Sequence, residues 1–214
     1  MATAPVRPRL RADAMRNRER IIAAAHEAFV EEGTDVPLDE IARRAGVGNA
    51  TLYRHFPDRS SLLHEVLLYM QDRITERASC LLRADTDPFD ALAQAMLACA
   101  EERIGALCVT LGLGAHPADP RLAASRERMI EVTQRLIDRA HESGQLREDV
   151  GAGDLLIGVS SLTRPLPGTA RPCTGEAVRR YLQIFLDGLR APARSQLPGR
   201  SVELGDLGRA TEDS

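Results

Sequence analysis

The 214-residue chain contains no lysine, so apart from histidine every cationic side chain is an arginine. We read this as a codon preference of the source and not as a functional signal. Long apolar runs are also missing. Those present are short and broken by charges, so none can span a bilayer and no membrane partner is expected. The arginines near the start are followed by no apolar block, so no signal peptide is expected and a cytoplasmic location is favoured. The four cysteines, Cys80, Cys99, Cys108 and Cys173, form no CxxC pair, and no His/Cys cluster has zinc spacing. No metal or cofactor is therefore expected. Reduced, mostly buried thiols are the plain reading; a thiol-based redox sensor is the alternative, and it needs exposed thiolates near positive charge. There is no strand candidate, no internal repeat, no glycine-rich phosphate loop and no nucleophile–base motif. An enzyme is not expected; a small helical one is the remaining alternative from that class.

What is present is a chain with 43% hydrophobic residues, long enough to bury one or two compact cores. Its net charge is −3, unevenly placed. Arg7, Arg9, Arg11, Arg16, Arg18 and Arg20 face only Asp13 and Glu19 within the first 20 residues. A local basic patch on an acidic body fits nucleic acid at one end of the molecule.

Helical periodicity accounts for most of the chain. Residues 1–12, rich in Pro and Arg, read as a disordered basic arm. A helix from Asp13 places Ile21, Ile22, Ala25 and Phe29 on one face and stops at Gly33. A short helix over Leu38–Ala45 has Asp39 and Glu40 in its first turn and Arg43 and Arg44 in its last, as the helix dipole favours. Gly46 suits the left-handed exit. Asn49–His55 makes the next helix, with Val47, Leu52 and Phe56 inward, and Pro57 closes it. Asp58 caps a long helix to about Leu82. Asp87-Pro88 and Asp119-Pro120 start two more, the first running to about Ala106 with a bent continuation to Leu113 as the alternative, and the second ending at Ser143-Gly144. The last two helices span about Asp154–Thr163 and Gly175–Leu189. Residues 191–214 read as a disordered tail. The fold class is all-α, with three short helices over 13–57 forming a helix-turn-helix whose second motif helix enters the DNA major groove, and a larger helical domain over 58–190.

The order Ile41-Ala42, Ala45-Gly46-Val47, Thr51-Leu52-Tyr53, His55-Phe56 and Arg59 before Leu62 resembles the TetR family of bacterial transcriptional regulators. The resemblance covers residues 13–70; beyond it, Gly144-Gln145-Leu146-Arg147-Glu148-Asp149 looks like the family's joint before its last two helices. It implies a homodimer on double-stranded DNA with a palindromic operator, most simply a repressor released by an unknown small-molecule effector. Asn49 can pair bidentately with adenine, Ala50 can touch a thymine methyl, and Thr51 can reach a base edge or a phosphate. By the resemblance, Tyr53 and His55 lie at the DNA backbone and Arg59 takes the place of a phosphate-binding Lys. Gly48 replaces the usual Ser and Pro37 the usual Thr, a hydroxyl that Thr34 could supply instead. Arg43 and Arg44 are either a solvated helix end or, for one of them, a phosphate contact. Tyr53 has packing as its second reading, and the arm has a minor-groove role as its second.

In the body, the resemblance places an effector pocket within 59–163. Met70, Met96, Cys99, Arg103, Cys108, His116 and Ser161 are the polar or soft candidates to line it, each also readable as structural. For the dimer, the final helix offers Val178, Tyr181, Leu182, Phe185 and Leu189, and the helix before it Leu155, Leu156, Val159 and Leu162. Two such helices per subunit can form an intersubunit four-helix bundle; burial inside one subunit is the alternative.

Overall fold

The computed structural model describes residues 7–102, 119–163 and 175–203, with backbone alone for 7–11. Among these residues there are eight α-helices and no strand: α1 Arg7–Glu32, α2 Leu38–Ala45, α3 Asn49–His55, α4 Arg59–Arg83, α5 Pro88–Glu101, α6 Pro120–Glu142, α7 Ala152–Thr163 and α8 Gly175–Leu189. The chain divides into two compact units, Met1–Tyr69 and Met70–Ser214. The division falls inside α4. None of these helices is long and apolar enough to cross a membrane.

In the first unit, α1 buries Ile21, Ile22, Ala25, Ala28 and Phe29. It begins at Arg7, so half of the stretch expected to be a disordered arm is helical. Pro8 sits in the first turn, where its missing N–H costs no hydrogen bond, and Leu10, Ala12, Ala14 and Met15 are good helix formers. Gly33, at φ 93°, ends the helix, its N–H donating to the Phe29 carbonyl at 3.1 Å. α2 packs against α1 and buries Ile41, Ala42 and Ala45. Its exit is a Schellman turn: Gly46 has φ 62°, its N–H donates to the Arg43 carbonyl, and the Val47 N–H donates to the Ala42 carbonyl at 3.0 Å. α3 is anchored by Leu52, with Phe56 just past its end; both are fully buried. Val47, expected in the core, is half-buried, because the turn holds it at the surface of so small a unit. The Asp58 carboxylate accepts from the Ser61 N–H at 2.7 Å, the cap expected for α4.

The second unit is built on one apolar cluster. Phe89, Leu92, Ala95 and Met96 of α5 meet Leu136, Ile137 and Ala140 of α6, Leu155 and Val159 of α7, and Val178, Leu182, Leu186 and Leu189 of α8. Asp87 and Asp119 cap α5 and α6, each followed by proline at the first helical position. α6 ends in a second Schellman turn, with Gly144 at φ 68°. Gln145, just beyond it, accepts from the Phe89 N–H at 3.1 Å and donates to the Asp87 carboxylate at 2.6 Å, tying the joint to the start of α5.

The segment after α8 is irregular but attached, unlike the disordered tail expected from its composition. The Ala191 N–H donates to the Gln145 carbonyl at 2.8 Å, and the Gly153 N–H to the Val202 carbonyl at 2.9 Å. Arg147, 7% exposed, donates to Asp149 at 2.6 Å and to the Ser195 carbonyl at 2.7 Å. Pro, Gly and Ser forbid regular structure here, but their backbone groups still find partners on residues 145–154.

Candidate nucleic-acid interface

The outward face of α3 follows from which side chains the core takes. Leu52 points in, so Asn49, Ala50, Tyr53 and Arg54 are left exposed, with Thr51 and His55 half-buried at the edges. Tyr53 is 48% exposed, against the packing alternative. The His55 Nε2 is buried and has no hydrogen-bond partner among the described residues. Burial, with Arg54 and Arg18 nearby, pushes its imidazole below the ordinary histidine pKa.

The arginines expected at phosphates are occupied elsewhere. Arg59 is turned inward, its guanidinium donating to the Thr34 and Val36 carbonyls, the latter at 2.7 Å. It thereby fixes the connector between α1 and α2, where Thr34 is half-buried. Arg44 reaches three carboxylates: Glu31 at 2.7 Å, Glu40 at 3.0 Å and Glu32. Arg43 pairs with Glu40 at 2.6 Å. The two guanidinia hold the Glu40 carboxyl down at about 2, with Arg43 the larger cause. Carboxylates on α1, distant in sequence but close in the fold, hold Arg44, whereas Arg43 pairs only within α2 and stays exposed at its end. Arg18 and Arg20, expected only as part of a basic patch, brace the motif too. Arg18 pairs with Glu65 at 2.5 Å and lies over the Phe56 ring at 5.5 Å. Arg20 donates to the Gly46 carbonyl at 3.2 Å, and a Cβ on Gly46 would collide with it.

The candidate dimer surface is also re-sorted. Leu155, Val159, Val178, Leu182 and Leu189 are buried in the subunit's own core, the alternative weighed for the stripe. Leu156 and Leu162 are half-buried, and Phe185 packs partly on that core. Of the residues expected at the interface, Tyr181 is the exposed one, at 54%. Beside it on the same helices, Ile184 and Ile157 are exposed at 57% and 43%. The sequence signal for them was available: each sits one position off the inward stripe, where a polar residue is the usual choice for a solvated face. Gly158 lets the Phe185 ring approach α7, since an added Cβ would strike that ring.

The candidate pocket residues are only partly brought together. Met96 is buried in the cluster of the second unit and Cys99 packs against it; Met70 is fully buried, and Ser161 is exposed. Arg103, Cys108, His116 and Cys173 lie outside the described residues. Cys80 is exposed and Cys99 half-buried, so the expectation of mostly buried thiols does not hold for these two. Among the described residues no group of His, Cys, Asp and Glu could hold a metal ion.

A three-helix unit with a Schellman turn between two short helices, and a polar outward face on the second, defines a helix-turn-helix DNA-binding protein. Comparison with known proteins gives the family. Residues 21–66 match the model of bacterial regulatory proteins of the tetR family, and residues 87–191 match that of the SbtR-like transcriptional regulator C-terminal domain. A TetR transcription regulatory protein from Mycobacterium vanbaalenii is 34% identical, with 85% of this chain and 99% of that one covered and a TM-score of 0.58. The TetR regulator SCO0520 from Streptomyces coelicolor is 30% identical, covering 82% of this chain and 99% of that one, with a TM-score of 0.62. An HTH-type transcriptional regulator of Staphylococcus aureus is 46% identical over 59 residues, 27% of this chain and 32% of its own length. The match to such curated relatives thus spans about a third of their length. The chain belongs to the TetR family of bacterial transcriptional regulators. Regulators of this family bind DNA and small-molecule effectors and act as dimers.

Proposed function

We propose that the protein is a homodimeric repressor that holds a palindromic operator and releases it when a small molecule binds in the second unit. The observation that carries the DNA reading is the face of α3. Leu52 and Phe56 fix the helix from within, and Asn49, Ala50 and Tyr53 are left outward and free to meet a major groove. Asn49, Ala50 and Thr51 read bases, Tyr53 and His55 meet the backbone, and Thr34 lies where a hydroxyl can reach a phosphate. Arg44 and Arg59 serve as braces that keep this face in register.

Two copies joined through Ile157, Tyr181 and Ile184 would present two α3 helices to half-sites about 34 Å apart. The exposure of these three large apolar side chains, on two helices that pack against each other, supports that surface. The effector seat is placed beside α5, where Met96 and Cys99 offer soft, deformable walls. Its occupant must prefer the conformation that does not hold DNA, since binding shifts an equilibrium only by differential affinity.

A mobility shift with the DNA flanking the protein's own gene tests the reading. The expected result is a sequence-selective band at moderate salt, lost together with the dimer in Ile184→Glu. An intact dimer that retards all DNA equally would count against it.

A further inference from the structure

The arginines of the first unit separate into two kinds. Arg16 pairs with Asp13, Arg18 with Glu65, Arg43 with Glu40, and Arg44 with Glu31, Glu32 and Glu40. Arg20 and Arg59 donate to backbone carbonyls. Among the arginine side chains described in this unit, Arg54 alone makes no hydrogen bond or ion pair with the described residues, and it is exposed.

Its place on α3 is specific. At about 100° per residue, Ala50 and Arg54 are about 40° apart and each points roughly 160° away from the buried Leu52. They form the centre line of the outward face, with Tyr53 and Thr51 on its flanks. In a helix lying in a groove, side chains at the N-terminal end, Asn49 among them, reach base edges; one on the centre line of the outward face is aimed at the groove floor, and those on the flanks face both base edges and the sugar-phosphate walls. Guanidinium has a fork of donors that matches O6 and N7 of guanine, the commonest specific arginine contact in the major groove.

We infer that Arg54 is a specificity-determining residue that reads a guanine in each half-site, through a free guanidinium on the centre line of the outward face of α3. This rests on the DNA-binding reading above and deepens it. Arg54 lies five residues beyond Asn49, about 7.5 Å along the helix, and successive bases on a strand are about 3.4 Å apart. The two side chains therefore read different base pairs of the half-site.

The experiment is selection of bound sequences from a randomised duplex pool by the full-length dimer, followed by titration of the selected site and its single-base variants. Wild type, Asn49→Ala, Arg54→Ala and Arg54→Lys are compared, with circular dichroism confirming the fold of each. Wild type should select a half-site containing a G·C pair. Arg54→Ala should lose the preference at that pair alone, by about 5- to 150-fold, the range of one bidentate contact. Arg54→Lys keeps the charge, and should regain affinity for non-specific DNA without regaining the guanine preference. The position relaxed by Asn49→Ala should be a different base pair.

If Arg54→Ala weakens every sequence alike and Arg54→Lys restores all of them, Arg54 is a phosphate contact and the inference is overturned while the DNA-binding reading stands. The inference is overturned equally if Arg54→Ala keeps the full wild-type base preference. If wild type selects no sequence at all, both fall together.

Discussion

The helices of the recognition motif and those of the body begin differently. α5 and α6 start on Asp87 and Asp119, whose carboxylates accept from the first free N–H groups, and Gln145 adds a further clamp on α5. α2 and α3 start on Pro37 and Gly48, and neither has a side-chain cap. Four N–H groups at a helix start have no partner within the helix, so an uncapped short helix is weak by itself. The motif is instead stabilised at its exits and from outside. The Gly46 turn closes α2, Arg20 holds that turn, Arg59 holds the connector before it, and Arg44 ties α2 to α1. α5 and α6 are thus secured at their own starts, and the recognition motif by its exits and by long-range arginine braces. A reading head built this way keeps its starts unfilled, at the cost of depending on a few tertiary contacts.

The two units should differ most when their cores are cut. Leu52→Ala and Leu136→Ala remove side chains that are both 0% exposed, and each should cost about 2–5 kcal/mol. Leu52→Ala should abolish DNA retention, because little else holds α3. Leu136→Ala should lower the urea midpoint but still give a band in a mobility shift at low temperature. Equal loss of binding by the two would erase the distinction. Next in size is Gly46→Ala, which forces a side chain into the left-handed region and against Arg20; about 1–2 kcal/mol should be lost in thermal unfolding. Asp87→Ala should cost about 0.5–2 kcal/mol by the same measurement, as an ordinary N-cap loss. Gly48→Ser supplies the missing cap and should gain only a few tenths of a kcal/mol, since glycine is itself a fair N-cap.

The smallest effect is electrostatic. Glu40 titrates at about 2 because Arg43 and Arg44 bind its carboxylate, and Asp149 at about 2 because of Arg147. Both values are below the ordinary carboxylate range, so the stability they contribute is complete above about pH 4.5 and is lost as pH falls toward 2. Glu40→Gln should flatten that part of the melting temperature's pH dependence for the motif, and Asp149→Asn for the body. Asp149 is exposed and Glu40 half-buried, so the shift should shrink in high salt, more for Asp149.

Much of the fold was readable in order. The bounds of α2, α3 and α8, the caps Asp58, Asp87 and Asp119, and the exits Gly33, Gly46 and Gly144 follow from periodicity and cap chemistry, which are local. The inward members of the core stripes follow from the same spacing. Three kinds of feature were not readable. Residues 7–12 lack apolar periodicity, yet their backbone is helical, because propensity suffices where a long helix is already nucleated downstream. The segment 191–203 has a coil composition, and its attachment depends on acceptors and donors at 145–154 that sequence distance hides. The final helix stripe was legible as apolar but not as to which partner buries it. Val178, Leu182 and Leu189 went to the subunit's own core, leaving Tyr181 and Ile184 outside.

The sequence alone determined that the chain is all-helical, where its short helices begin and end, and that Leu52 and Phe56 must point inward from the recognition helix. Those facts rest on interactions within four or five residues. The tertiary structure alone decided which arginines are free. Glu31, Glu32 and Glu65, and the carbonyls of Thr34, Val36 and Gly46, claim Arg44, Arg18, Arg59 and Arg20 across distances in sequence that no local pattern records. A charge is worth most where it is unpaired, and packing determines where that is.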